Sequence, residues 1–221
     1  MSEQPQRPFI TRLSHELRTP LNAIISFSEL LRTGMVQYDS ADYHKFLKHI
    51  SNNGKHLLNL VNDLLDQAAL ESGEIVFSAE PANLNRLVRE VAAIAEGVQP
   101  QKKVRIEVDD NPALEAVVLD TVRFKQVLYN FLTNAVKYTA PNGRVRVGMH
   151  EEGASHFKLV VEDDGIGIAP ELQPRLFDQG GSLALVKQLV EIQGGHVGVR
   201  SVLGCGSTFH AVLPRRPLTL P

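Results

Sequence analysis

DTVRFKQVLYNFLTNAVK, residues 120–137, repeats apolar side chains at Phe124, Val127, Leu128, Phe131 and Ala135. That three- and four-residue spacing is one buried face of a helix. A second face carries Arg123, Gln126, Asn130, Asn134 and Lys137. Asparagine is a mediocre helix former, so two of them one turn apart cost stability unless their amides have a task. Amide oxygens suit a hard ion such as Mg²⁺ beside phosphate oxygens, and Lys137 adds a point charge for a phosphate. The plain alternative is a solvated polar face.

Around this helix the chain alternates short strands and helices. Alternating patterns place strands at Val104–Val108, Ala116–Leu119, Val145–Met149, Phe157–Glu162, Gly195–Ser201 and Thr208–Leu213. Helical periodicity marks Leu84–Glu96 and Leu183–Gln193. Asn142-Gly143 and Glu152-Gly153 supply turn chemistry, the second inside a hairpin. The expectation is an α+β, two-layer sandwich: one sheet with helices on one face.

The strand ending in Glu162-Asp163-Asp164-Gly165-Ile166-Gly167-Ile168 puts an acid at a strand end, followed by two glycines where backbone approaches a ligand. A carboxylate there accepts a hydrogen bond from an adenine amino group, which guanine does not offer at that position. Asp-x-Gly-x-Gly alone is a weak motif. Gly180-Gly181-Ser182 leads into Leu183, a glycine-rich start to a helix whose first amides suit phosphate.

The first third of the chain reads differently. Ile10, Leu13, Leu17, Leu21, Ile24 and Leu31 form one stripe of a helix from Pro8 to about Thr33, which Gly34 is placed to end. A second helix runs from the N-cap candidate Ser40 to Glu71, with Tyr43, Ile50, Leu57 and Leu64 in one row and Leu47, Val61 and Ala68 in another. The short connection makes the two antiparallel. One hairpin cannot bury both rows, so two copies are expected to form a dimeric four-helix bundle. The alternative is a monomer whose helices pack on the C-terminal half. The expected domains are 1–73, 74–214 and a tail, 215–221.

On the first helix, Ser14-His15-Glu16-Leu17-Arg18-Thr19-Pro20-Leu21 places His15 about 200° from Leu13 and Leu17, off the seam. An exposed imidazole keeps a neutral, nucleophilic nitrogen near neutral pH. Glu16 is positioned to accept its proton, and Thr19, one turn on, to orient a water. Pro20 removes the hydrogen bond to the Glu16 carbonyl.

The remaining composition sets limits. The 221 residues are 43% hydrophobic and 22% charged with a formal net charge of −2, so no global basic field points to nucleic acid. The single cysteine, Cys205, rules out an internal disulfide and a cysteine-based zinc site. No apolar run reaches the roughly 20 residues a bilayer span needs. A cytoplasmic chain without membrane contact is expected.

Taken together, these segments resemble the sensor histidine kinases. Residues 14–21 are similar to that family's H-box, LLNLVNDLLDQAALESG (57–73) to the end of its dimerisation helix, Asn130–Thr139 to its N-box and Asp163–Ile168 to its first glycine box. Leu176-Phe177 resembles the F-box, Gly180–Val186 a shortened second glycine box, and GGHVGVRSVLGCGSTFHAVLP (194–214) the last hairpin and strand.

The resemblance implies a Bergerat-type ATP-binding sandwich and autophosphorylation of His15, with Glu16 assisting and Thr19 supporting phosphatase activity. It implies phosphoryl transfer to an aspartate of a response regulator. It assigns Mg²⁺ to Asn130 and Asn134. It assigns nucleotide contacts to both asparagines, Lys137, Tyr138, Asp163, Gly165, Gly167, Gly180, Gly181, Ser182 and Leu183.

The sequence departs from the family at the lid. Only Asp178 and Gln179 stand between the F-box and Gly180, where ten or more residues are usual, and Ser182 stands where a glycine is expected. That departure bears on how well a γ-phosphate is enclosed. It keeps open a kinase-deficient nucleotide-sensing scaffold or phosphatase of the same fold, and a gyrase-type ATPase.

Overall fold

A computed structural model describes residues 6–71, 77–114, 117–178 and 181–216. The chain divides into two compact units, Met1–Ile75 and Val76–Pro221.

The first unit is a helical hairpin of α1 (Gln6–Arg32) and α2 (Ala41–Glu71). Gly34, at φ +69°, turns the chain out of α1 in the left-handed conformation that glycine adopts without strain. Ser40 caps α2, its hydroxyl accepting from the Tyr43 amide at 3.2 Å. Between the helices the Phe27 ring meets Phe46 at 5.0 Å and stacks on His49 at 4.8 Å. Leu21, Ile25, Leu47, Leu58, Val61 and Leu65 remain exposed. The expected row Leu47, Val61, Ala68 is thus left uncovered by its own hairpin. Among the described residues no helix is long and apolar enough to cross a membrane.

The second unit contains β1 (Ala79–Ala82), α3 (Leu84–Glu96), β2 (Arg105–Asp109), β3 (Val117–Asp120) and α4 (Thr121–Tyr138). These are followed by β4 (Arg144–Glu152), β5 (His156–Asp163), α5 (Ser182–Glu191), β6 (His196–Val202) and β7 (Gly206–Pro214). Five strands form one sheet in the order β2-β4-β5-β7-β6, with β2 and β4 parallel and the other pairs antiparallel.

The expected single sheet needs one correction: β3 is not in it. It pairs antiparallel with β1, a strand absent from the sequence reading, as a separate two-stranded ribbon. Asp120 ties that ribbon to α4. One carboxylate oxygen accepts from the Val122 and Arg123 amides, each at 3.0 Å, and the other from the Ser78 amide at 3.0 Å.

The core explains the α4 periodicity. Phe124, Val127, Leu128, Phe131 and Ala135 are all buried. Phe124 meets Phe157 of β5 at 6.1 Å and Phe131 meets Phe209 of β7 at 5.6 Å. Full burial of each such side chain contributes about 1.5–3 kcal/mol. Asn83 caps α3 by accepting from the Arg86 amide, and α3 buries Leu84, Leu87, Val88 and Val91 beside α4. Strand β7 runs to Pro214, and Arg215 continues the order beyond it. Its amide donates to Ser155 O at 2.8 Å and its carbonyl accepts from the Val118 amide at 2.9 Å. Residues 217–221 lie outside the described set.

Candidate functional site

Helix α4 divides its polar residues unequally. Lys137 and Tyr138 are exposed, with the Lys137 ammonium 5.1 Å from the Tyr138 ring centroid. Asn134 is half-buried. Asn130 is only 8% exposed, and its Nδ2 has no hydrogen-bond partner among the described residues. The solvated-face alternative therefore does not describe Asn130. A buried amide left unpaired costs about 1–3 kcal/mol, so this side chain is suited to an incoming acceptor. Thr139 Oγ1, at the end of the same helix, is likewise buried and unpartnered among the described residues. Beyond its place at the end of the N-box resemblance, nothing in the sequence singles it out.

The loop after β5 is fastened to that helix end. The Ile166 amide donates to the Tyr138 carbonyl at 3.3 Å. On its other side, the Gly204 amide donates to the Ile166 carbonyl at 2.8 Å and the Ile168 amide to Ser201 Oγ at 2.8 Å. Gln173 closes the loop through Nε2, donating to Ile168 O and Ser201 O, each at 2.9 Å.

Both loop glycines are required by this internal packing. A Cβ on Gly165 would stand 2.6 Å from the Tyr138 carbonyl oxygen, and one on Gly167, at φ +67°, would stand 2.1 Å from the Val202 carbonyl oxygen. Ligand approach, the reason expected from sequence, is not needed to explain either. Gly206 has the same logic from β7: at φ +102°, its Cβ would collide with the Asp163 carbonyl.

Asp163 itself is 6% exposed, and its Oδ1 accepts from the Gly165 amide at 2.9 Å. Burial pushes its carboxyl above the usual range, opposed by the Gly165 and Ser207 amides and reinforced by Asp164 and Glu162. The neighbouring Asp164 has a structural task, accepting from the Arg144 amide at 2.9 Å.

At the other candidate segment, Gly181 caps α5 with φ 80° and ψ −167°, a conformation open essentially to glycine. Ser182 and Leu183 follow in the first turn. Gly180 lies outside the described residues. Phe177 packs edge-on against Phe209 at 6.4 Å, and Lys187 pairs with Asp178 at 2.7 Å, tying the residue after Phe177 to α5.

His15, Glu16 and Thr19 lie on α1 of the other unit. The side chains of His15 and Glu16 are outside the described set; Thr19 is exposed and Pro20 buried. Among the described residues no group of three His, Cys, Asp or Glu side chains is arranged to hold a metal.

Two family models match the chain in tandem: the His Kinase A (phospho-acceptor) domain over residues 6–73, and the histidine kinase-, DNA gyrase B- and HSP90-like ATPase over residues 119–217. This chain belongs to the sensor histidine kinases. It is 34% identical over 230 residues to the circadian input-output histidine kinase CikA of Synechococcus elongatus, an alignment covering 96% of this chain and 30% of that kinase. The aligned stretch exceeds the 221 residues of the whole chain, so CikA carries positions with no counterpart here.

Among solved structures, the histidine kinase AdeS of Acinetobacter baumannii aligns with a TM-score of 0.72 at 26% identity. That alignment covers 91% of this chain and 98% of AdeS. Full-length ShkA in complex with AMPPNP aligns with a TM-score of 0.69 at 31% identity, covering 96% of this chain and 46% of ShkA. The histidine kinase chain described here thus spans under a third of CikA's length and about half of ShkA's.

Proposed function

We propose that this chain is the catalytic core of an ATP-dependent autokinase that phosphorylates His15 and passes the phosphoryl group to an aspartate on a response-regulator receiver domain. What carries the reading is Asn130: a buried amide with an unpaired donor, on the helix whose end is bonded to the Asp163 loop. In this reading Asp163 accepts from the adenine amino group. Asn130, Asn134 and Lys137 face the phosphates, Tyr138 flanks the base, Gly165 lets the acid loop close on the end of α4, and Gly167 lets it close on Val202 at the end of β6. The α5 start, Gly180 to Leu183, receives phosphate oxygens through its amides.

Mg²⁺ fits this donor set as an ion that arrives with the triphosphate. Asn130 and Asn134 offer neutral oxygens, and a magnesium ion already bound by phosphate needs only one or two protein ligands. Bound there, it would neutralise phosphate charge.

The protein's own chemistry then rests on α1. A ring nitrogen of His15 attacks the γ-phosphorus as the bond to the ADP oxygen breaks, and Glu16 takes the imidazole proton. Thr19 would orient a water toward phosphorylated His15 for a phosphatase reaction, in which water takes the phosphoryl group and free phosphate leaves. Residues 1–73 form the dimerising unit, 74–214 the nucleotide-binding unit and 215–221 a tail. A second hairpin covers the apolar residues exposed on α1 and α2, and the chain works in the cytoplasm.

A kinase-deficient, nucleotide-sensing scaffold or phosphatase is favoured by one observation: only Asp178 and Gln179 precede Gly180 where a lid is expected. Incubation with Mg²⁺ and ATP, following both phosphoenzyme and free phosphate, separates the possibilities. The autokinase accumulates phosphoenzyme. The scaffold binds nucleotide and yields neither product. Steady phosphate release without phosphoenzyme would instead indicate a gyrase-type ATPase.

A further inference from the structure

The last carbonyls of a helix lack donors from within it and must find them elsewhere. In α4 every one is accounted for. Ala135 O receives the Thr139 amide at 2.9 Å, and Tyr138 O receives the Ile166 amide. Val136 O and Lys137 O are both met by the ammonium of Lys102, at 3.2 and 2.5 Å. The same ammonium reaches Thr139 O at 2.9 Å. A lysine has three N–H donors, and here three carbonyls take them.

Local geometry aims this side chain. Lys102 ends a single 3₁₀ turn, Pro100–Lys102, and Lys103 leaves it in the left-handed conformation, φ 51°, with its amide bonded to Pro100 O. The Lys102 carbonyl in turn accepts from the Asn142 amide at 2.7 Å. One residue therefore grips the end of α4 through its side chain and the following loop through its backbone. The cation also sits at the negative end of the helix dipole, where it is favoured.

We propose that Lys102 is a positioning residue for the nucleotide site, setting the end of α4 against the Asp163 loop without touching nucleotide. The proposal rests on the nucleotide reading above. Its ammonium donors face carbonyls, so its effect passes through Lys137, Tyr138 and the Tyr138–Ile166 hydrogen bond. Without the ammonium, three carbonyls turn to water. The segment 137–142 loosens, and Asp163 loses its fixed relation to Asn130 and Asn134.

The test uses the whole chain, with Mg²⁺ and ADP as the probe in titration calorimetry and hydrogen exchange as the structural readout. Lys102→Met keeps the aliphatic stem and removes the charge. It should weaken ADP binding about tenfold to a hundredfold, as loss of a supporting contact does. Exchange should accelerate at 139–143 and at Ile166 and remain unchanged in α3.

Lys102→Cys in a Cys205→Ser background, alkylated with 2-bromoethylamine, rebuilds an ammonium of nearly the same length and should restore both readouts. Lys102→Arg should not, because a planar guanidinium cannot direct three donors into one carbonyl cluster. Leu114→Val, in the core beside α3 and β4, lowers the melting temperature and should leave ADP affinity unchanged.

Equal ADP binding by wild type and Lys102→Met would overturn the proposal alone, as would weakened binding that aminoethylation fails to restore. Absence of ADP binding by the wild type would overturn the nucleotide reading and this proposal with it.

Discussion

The carbonyl of Tyr138, the last residue of α4, accepts the amide hydrogen of Ile166 at 3.3 Å. Through that bond the helix bearing Asn130 and Asn134 and the loop that follows Asp163 become one construction, although the β4–β5 hairpin lies between them along the chain. Gly165 completes the join, because a side chain there would strike the same carbonyl.

Asn130→Ala separates binding from stability. The substitution removes a buried donor that has no partner among the described residues, so the melting temperature should hold or rise. Nucleotide affinity should fall tenfold or more, since a hydrogen bond to a charged acceptor contributes about 1.5–3 kcal/mol. Calorimetric titration and thermal melting on the same variant check both parts.

Asp163→Asn should stabilise the free protein at neutral pH. Burial raises the Asp163 carboxyl above its ordinary value. Between the ordinary and the raised value, the folded protein keeps a proton that the unfolded chain has released, so stability falls as pH rises through that window. The asparagine variant carries no such charge. Its advantage in melting temperature should be full above the raised value and shrink as the pH is lowered from the raised value to the ordinary one. The same variant should lose preference for ATP over GTP, measured by competition.

Leu58→Glu with Leu65→Glu should give a monomer. Both side chains are exposed on α2, at 60% and 64%, and stand seven residues apart on one face. Charges there oppose burial against a second hairpin without entering the hairpin's own contacts. Light scattering should report a dimer for the wild type and a monomer for the double variant, with the melting of the ATPase unit unchanged.

Much of this architecture is legible in the sequence where burial is periodic. Helix α3 runs from Leu84 to Glu96 as expected, because its stripe is regular and Asn83 caps it. Strand β1 is not legible: Ala-Glu-Pro-Ala has no β-branched residue, and it exists through pairing with β3 and the Asp120 carboxylate. At the site, Asn130, Asn134 and Asp163 stand out because each is a local oddity, an amide in a helix or an acid at a strand end. Lys102 does not. A lysine in a turn reads as solvent-exposed, and the carbonyls that define its role lie 34 to 37 residues further along. The reason for Gly165 and Gly167 is equally non-local, since each is fixed by a carbonyl from another element.

The central claim, that His15 accepts the γ-phosphoryl group of ATP bound by this chain, is tested most directly by labelling with γ-³²P-ATP and Mg²⁺ in wild type and His15→Gln. The account predicts a label on the wild type that is lost in acid and retained in base, and no label on the variant. An unlabelled wild type, or a variant labelled to the same extent, would contradict it.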